Sequence, residues 1–278
     1  MTGAGTIRVG GVPEHFNLPW RLAIEDGDFT QRGLDVSWID FPGGTGAIMA
    51  ALDAGEIDLA TPLTEGAITA IANGSPTELV HPWVDSPLLW GVHVAGQSSA
   101  EEIADVEGQR FAISRLGSGS ELMSRVMAED LDWELTEASF VTVGNIDGAL
   151  TALPAGDAEV FLWNLSMTQP HVTDGTFKRI GVVPTPWPSF TVAATKKFLT
   201  ERPGVAATVS EMAASRAALL SIDDSAAAFV AQRYGLDMQS ALDWASHVEF
   251  AAPGAPVDTE MVAEVRDRMV RLGRIQGG

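Results

Sequence analysis

Phe111-Ala112-Ile113 runs directly into Ser114-Arg115-Leu116-Gly117-Ser118-Gly119-Ser120. The apolar triplet reads as the end of a short buried strand. Beyond the small-residue loop, Leu122, Met123, Val126, Met127 and Leu131 recur at the spacing of one helix face. Strand, glycine–serine loop and helix N-terminus together present unpaired N–H groups and the positive end of a helix dipole. Arg115 adds a fixed charge with planar donor geometry. Ser114, Arg115, Ser118, Gly119 and Ser120 are therefore candidate contacts for the anionic part of a ligand. The plainer reading is an ordinary loop with Ser118 or Ser120 as the N-cap.

The same layout repeats on both sides of this stretch. Ile7–Gly10 reads as a strand, followed by a helix from Pro19 to Asp26. Leu34–Ile39 alternates as a half-buried strand, and the loop Phe41–Gly46 leads into a helix over Ala47–Asp53. Ile57–Ala60 is a third strand, with Thr64 as N-cap of a helix to Ala72. Leu79-Val80 opens another strand, and Leu88–Val94 crosses to a new sheet. There the strands are Arg110–Ser114, Phe140–Val143, Ala158–Leu162 and Phe177–Val183. Helices over Ser118–Asp130, from Gly144-Asn145 to Leu153, and from Leu165 separate them. Pro184–Ser189 is too rich in proline for an element and reads as a linker. After a strand at Phe190–Ala194 the chain turns helical, over Val205–Leu220, Ser225–Tyr234, Gln239–Ser246 and Thr259–Leu272. This alternation predicts an α/β fold with mostly parallel sheets. The expected organisation is two lobes, 1–90 with 190–278, and 91–189. Hinges fall near 88–94 and 184–194, and a ligand cleft between the lobes lies at the C-terminal strand ends.

Composition narrows the function classes. The chain has 278 residues, 46% hydrophobic and 19% charged, enough for a sizeable core. Its net charge of −20 argues against nucleic acid and anionic membranes as partners. No apolar run has the length of a membrane span. Without cysteine there is no disulfide, thiol nucleophile or zinc–thiolate site. Met1–Gly5 shows neither a basic nor an apolar leader segment, so a cytoplasmic location is expected, with a trimmed export signal as the alternative. His81, His93, His171 and His247 lack metal-ligand spacing, with His81 and His93 reading as strand-end residues, and no metal or cofactor is expected. Acidic pairs such as Glu25-Asp26 read as solvated surface.

Ala23-Ile24-Glu25-Asp26-Gly27-Asp28-Phe29 with Gly33-Leu34-Asp35-Val36 resembles the opening signature of type II periplasmic-binding-protein-like chains. That superfamily includes sulfonate and nitrate binders and thiamine-pyrimidine synthesis proteins. Gly43-Gly44-Thr45, then Ala51 to Asp58, resembles the group's next signature. Pro13–Phe16, Leu63–Glu65, Ser86–Leu88, Ile113–Ser120 and Thr185–Ser189 resemble a cytosolic branch found in fungi and bacteria. The resemblance spans residues 7 to about 195. It implies a two-lobed fold with a helical C-terminal tail. The cysteine-rich iron motif of the thiamine-pyrimidine synthases is missing, so the resemblance implies fold rather than that reaction.

Further candidates follow the strand ends. Glu14, His15 and Phe16 come after the first strand, and His15 is a candidate base. Trp20 is a candidate for stacking on a flat ligand, or a core residue. Gly43, Gly44 and Thr45 resemble a small anion cradle, distinct from dinucleotide and Walker patterns; the plainer reading is glycines that allow a tight turn. Thr64 and Glu65 begin a helix; Glu65 either complements the helix dipole or, with Glu14, meets a ligand ammonium or ring N–H. Ser86, Trp90, Asn145, Trp163 and Asn164 complete the set, with Trp187, a rigid and partly buried cleft wall or closure contact. The expected function is a small-molecule binder closing on a compact polar, anionic ligand. The alternatives are a lyase- or dehydratase-like enzyme using Glu14 or His15, and the binding subunit of an ABC importer. The last requires a permease partner and an export signal, and is disfavoured.

Overall fold

The computed structural model describes residues 5–220 and 224–275. The chain forms two compact units. One contains the residues up to Pro87 together with those from Trp187 onward; the other is Leu88–Pro186.

The first unit opens with β1 (Ile7–Gly11), α1 (Leu18–Glu25), α2 (Asp28–Gln31), β2 (Val36–Asp40), α3 (Gly44–Asp53), β3 (Leu59–Thr61), α4 (Thr64–Ala72) and β4 (Thr77–Val84). The second unit holds β5 (Leu89–Ala95), β6 (Phe111–Ile113), α5 (Gly119–Asp130), β7 (Phe140–Thr142), α6 (Ile146–Ala155), β8 (Val160–Asn164), α7 (Leu165–Thr173) and β9 (Phe177–Pro184). Back in the first unit, β10 (Phe190–Thr195) precedes α8 (Lys196–Glu201), α9 (Val205–Ala218), α10 (Asp224–Tyr234), α11 (Met238–His247) and α12 (Thr259–Arg271).

Each unit has a five-stranded sheet of the same plan, β2-β1-β3-β10-β4 and β7-β6-β8-β5-β9. Neither is wholly parallel. β1 pairs in parallel with β2 and β3, whereas β10 runs antiparallel to β3 and β4. β6 likewise pairs in parallel with β7 and β8, and β5 runs antiparallel to β8 and β9. The reversed strand is the one by which the chain enters each unit from the other. Such a strand has no crossover helix before it, so the right-handed βαβ rule does not fix its direction.

Both faces of the first sheet are covered, as a near-continuous apolar strand pattern requires. Ile48, Met49 and Leu52 of α3, Ala67 of α4 and Ile57 just before β3 pack together with Ala60 and Ala193 of the strands. An aromatic group fills another part of this unit: Trp20 lies 6.0 Å from Phe29, 5.6 Å from Trp83 and 6.4 Å from Trp38 between ring centroids. In the second unit Ala149 and Leu153 of α6 pack with Ala112, Phe161 and Phe177.

Several local expectations need correction. α3 begins at Gly44, so Gly44-Thr45-Gly46 is the first helical turn rather than loop; Gly44, at φ 70°, takes a backbone conformation that glycine allows without strain. Thr64 is the first residue of α4, not its cap; Leu63 occupies that position and its N–H donates to Thr45 Oγ1 at 3.0 Å. α2 and α8 are additional helices. Thr195 Oγ1 caps α8 by accepting from Phe198 N–H at 3.1 Å. His81 and His93 sit inside β4 and β5 and are buried, not at strand ends. The pair Glu25-Asp26 is not merely solvated: Arg233 and Arg216 pair with them and tie α10 and α9 to the end of α1.

Candidate functional site

Four strands of the first sheet, β1 to β4, point the same way, and β10 starts where they end. The loops after β1 to β4 and the segment before β10 therefore gather at one end of the sheet. Glu14, His15, Phe16, Gly43, Gly44, Thr45, Thr64, Glu65, Ser86 and Trp187 all belong to these loops or the helix starts beyond them. Hydrogen bonds stitch them together. Thr64 N–H donates to Ser189 O at 3.1 Å, and Ser189 Oγ donates to Ser86 O at 2.6 Å. Trp187 Nε1 donates to Glu65 Oε2 at 2.8 Å. Ser86 Oγ in turn accepts from Glu249 N–H at 3.1 Å.

The electrostatics of this face come from desolvation. Glu65 is 4% exposed, and burial pushes its carboxyl up to about 7 against the lowering pull of its own N–H and the Trp187 indole. Burial pushes the Glu14 carboxyl up to about 7 as well. Both groups thus stand between acid and carboxylate near neutral pH and can donate or accept a hydrogen bond. His15 moves the other way. Burial drives it down to about 3, so its ring is neutral and no ready proton donor. It is packed by Phe16 at 4.5 Å and Trp244 at 5.0 Å between centroids. Thr64 Oγ1 and His15 Nε2 are buried without a hydrogen-bond partner.

Two expectations fare differently here. Trp187 is only 4% exposed, so it is a buried anchor for Glu65 rather than a partly open wall. Trp20 is fully buried with Phe29, Trp38 and Trp83 around it, which is a core position.

In the second unit, the loops after β6, β7 and β8 gather with the start of antiparallel β5. This brings Ser114, Arg115, Ser118, Gly119, Ser120, Asn145, Trp163, Asn164 and Trp90 to one end of the sheet. Ser118 caps α5, its Oγ accepting from Glu121 N–H at 3.4 Å. Ser120 Oγ accepts from Ser114 N–H at 3.0 Å and lies 3.0 Å from Ser118 Oγ. The hydroxyls expected to face a ligand are therefore largely engaged in holding the loop. Arg115 is exposed at the loop tip, and its guanidinium has no partner among the described residues. Asn145 and Asn164 act as N-caps: Asn145 Oδ1 accepts from Gly148 N–H at 3.0 Å, and Asn164 Oδ1 from Ser166 N–H at 3.0 Å. Trp163 stacks on Phe161 at 5.1 Å. Trp90 is 7% exposed and crowds α5 so closely that a Cβ on Gly119 would stand 2.9 Å from its Cη2.

One residue of this face escaped notice in the sequence. Glu121, buried in the first turn of α5, accepts from Gly117 N–H at 2.6 Å and from Arg125 Nε at 2.8 Å. The signal was present, since Ser118-x-x-Glu121 has the spacing of a capping box. Trp244, which covers His15, lies too far along the chain for any local pattern to connect them. Among the described residues no cluster of His, Asp and Glu forms a metal site, and no helix is long and apolar enough to cross a membrane.

A family model for Ca3427-like PBP matches residues 90–183, most of the second unit. No match was found among curated proteins. Among solved structures, the Candida albicans CA3427 gene product, described as having the generic periplasmic binding protein fold, is similar at TM-score 0.87 and 24% identity. The match covers 99% of this chain and 92% of that one. The aliphatic sulphonate binding protein SsuA of Escherichia coli matches at TM-score 0.79 and 17% identity, covering 99% and 94%. The alkanesulfonate-binding SsuA of Xanthomonas axonopodis pv. citri, bound to MOPS, matches at 0.78 and 18%, covering 100% and 96%. At these identities the likeness shows the fold.

Proposed function

We propose that this chain, built on the type II periplasmic-binding-protein-like fold, is a small-molecule binder that closes on a compact polar ligand bearing an anionic group. The observation that carries the reading is the second unit's strand-end cluster. It joins the N-terminus of α5 to Arg115, whose charge has no partner among the described residues. Sulfonate recognition by the SsuA proteins of the same fold supports an anionic ligand. The first unit supplies complementary chemistry. Glu14 and Glu65 suit a ligand N–H or ammonium, and Thr64 Oγ1 offers a further buried partner. Bending is assigned to 88–94 and 184–194.

Those same carboxyls favour one second reading. Groups held near 7 are matched to general acid–base work, so a lyase- or dehydratase-like enzyme would use Glu14 or Glu65. Neutral, enclosed His15 is the weaker candidate.

Native mass spectrometry of the purified protein tests both readings. An anionic small molecule retained by the protein, recovered unchanged after incubation, is the expected result. Steady product formation that disappears in Glu14→Gln or Glu65→Gln establishes the enzyme instead. A retained ligand without any acidic group overturns the anion assignment.

A further inference from the structure

Asn17 holds the N-cap position of α1, where an asparagine ordinarily accepts a helix N–H through its side chain. Here it makes no such bond, and Pro19 in the first turn has no N–H to offer. The Asn17 side chain turns instead to the ends of β1 and β3, and the residue is fully buried. Its Nδ2 donates to Val12 O, just beyond β1, at 2.9 Å. Its Oδ1 accepts from Thr61 Oγ1, on the last residue of β3, at 2.8 Å. Thr61 is equally buried, and a Cβ on Gly11 would collide with its hydroxyl, so this close approach depends on glycine there. Glu14 lies inside the turn that Asn17 closes. The Glu14 N–H donates to the same Val12 O at 2.8 Å, and the Glu14 carbonyl accepts from Asn17 N–H at 3.1 Å. Asn17 therefore grips the Glu14 peptide from both sides, through its side chain on Val12 and through its own backbone. Trp83 holds the neighbouring residue, its Nε1 donating to Phe16 O at 3.0 Å.

We infer that Asn17 is a positioning residue: it forgoes capping α1 and, anchored on Thr61, fixes Glu14 at the end of β1, so that the Glu14 carboxyl meets a ligand N–H or ammonium in one place. The inference rests on the binding reading above, in which Glu14 is a contact. An amide suits the task because it donates and accepts at once. Val12 O takes the donor and Thr61 Oγ1 the acceptor, and alanine at 17 would leave both without that partner in the interior. A Glu14 carboxyl free to swing towards water loses the burial that raises it, and a ligand would then have to order it on binding.

The test reads Glu14 directly and needs no ligand, so it stands or falls apart from the retention experiment above. Side-chain carboxyl signals of the full chain are followed by carbon NMR across the neutral range, with Glu14→Gln and Glu65→Gln assigning the two that titrate near 7. In Asn17→Ala the Glu14 midpoint should fall by at least about one pH unit, while Glu65 keeps its own. Thr61→Val keeps the branched shape and removes the hydroxyl. The Glu14 midpoint should move the same way there, and Thr61→Ser should return it. An unmoved Glu14 in Asn17→Ala, or a Glu65 that moves equally with it, overturns the positioning role, since general loosening of this unit would expose both carboxyls. Where Asn17→Ala does not fold, the Thr61 pair decides, and an unmoved Glu14 in Thr61→Val overturns the inference. A midpoint in Thr61→Ser that stays with that of Thr61→Val overturns the anchor on the Thr61 hydroxyl.

Discussion

Glu65 shows what a single side chain does to the stability of this fold. Its carboxyl is raised by burial from 4.5 to about 7. The folded state therefore holds a proton that the unfolded chain has released between those values. The stabilisation is complete below pH 4.5 and is lost as pH rises through about 7. Glu65→Gln has no such proton to lose and can still accept from Trp187 Nε1. Relative to the parent it should gain stability across pH 4.5–7, by roughly 3 kcal/mol in all, and hold that advantage at higher pH. Denaturant titrations at pH 5 and pH 8 measure this; an advantage that is equal at both would mean that Glu65 is ionised throughout. His15 works in the opposite sense. Its neutral ring favours the folded state above pH 6.5, and that contribution is lost as pH falls towards about 3. The parent's own pH curve is therefore flattened by opposed titrations, which is why the variant comparison is the informative one.

At the scale of elements, the strand-end helices are fixed by caps, and two residues expected to touch ligand turn out to be capping residues. Asn145 receives Gly148 N–H at the start of α6, and Asn164 receives Ser166 and Met167 N–H at the start of α7. Asn145→Ala should cost about 1 kcal/mol of stability, with Asn145→Ser recovering most of it. Ligand affinity should be unchanged in both. A loss of affinity that Ser fails to restore would return Asn145 to the contact surface. α5 differs from α6 and α7 because its cap, Ser118, is accompanied by buried Glu121 and by Trp90 packed on Gly119. Gly119→Ala would push the indole away at a cost of about 1–3 kcal/mol, and heat denaturation would register it.

For the whole molecule, the two connecting segments run side by side. Thr185 N–H donates to Leu88 O at 2.9 Å, and Leu88 N–H donates to Thr185 Oγ1 at 3.0 Å. Ser189 N–H and Oγ both reach Ser86 O. The bending proposed at 88–94 and 184–194 would use few residues there. Small-angle scattering with and without the ligand identified by mass spectrometry should show a smaller radius of gyration at saturation. Superimposable profiles would argue for a rigid binder.

The sequence alone determined the alternation of short apolar strands with periodic helices, the Ser118 cap and the loop after β6. These depend on local periodicity and local hydrogen bonding, which neighbouring residues specify. From that alternation came the α/β fold class. It could not decide the direction of β5 and β10, because an entering strand is oriented by the partners it joins rather than by its own residues. Burial was equally out of reach. Trp20, Trp90 and Trp187 are all ligand candidates by sequence, yet Trp20 is core, Trp187 holds Glu65, and Trp90 packs against Gly119 at the start of α5. The near-neutral carboxyls of Glu14 and Glu65 and the neutral ring of His15 follow from desolvation by residues distant in the chain, such as Trp244 over His15. Only tertiary packing could set them, since the cost of burying a charge depends on what surrounds it in space.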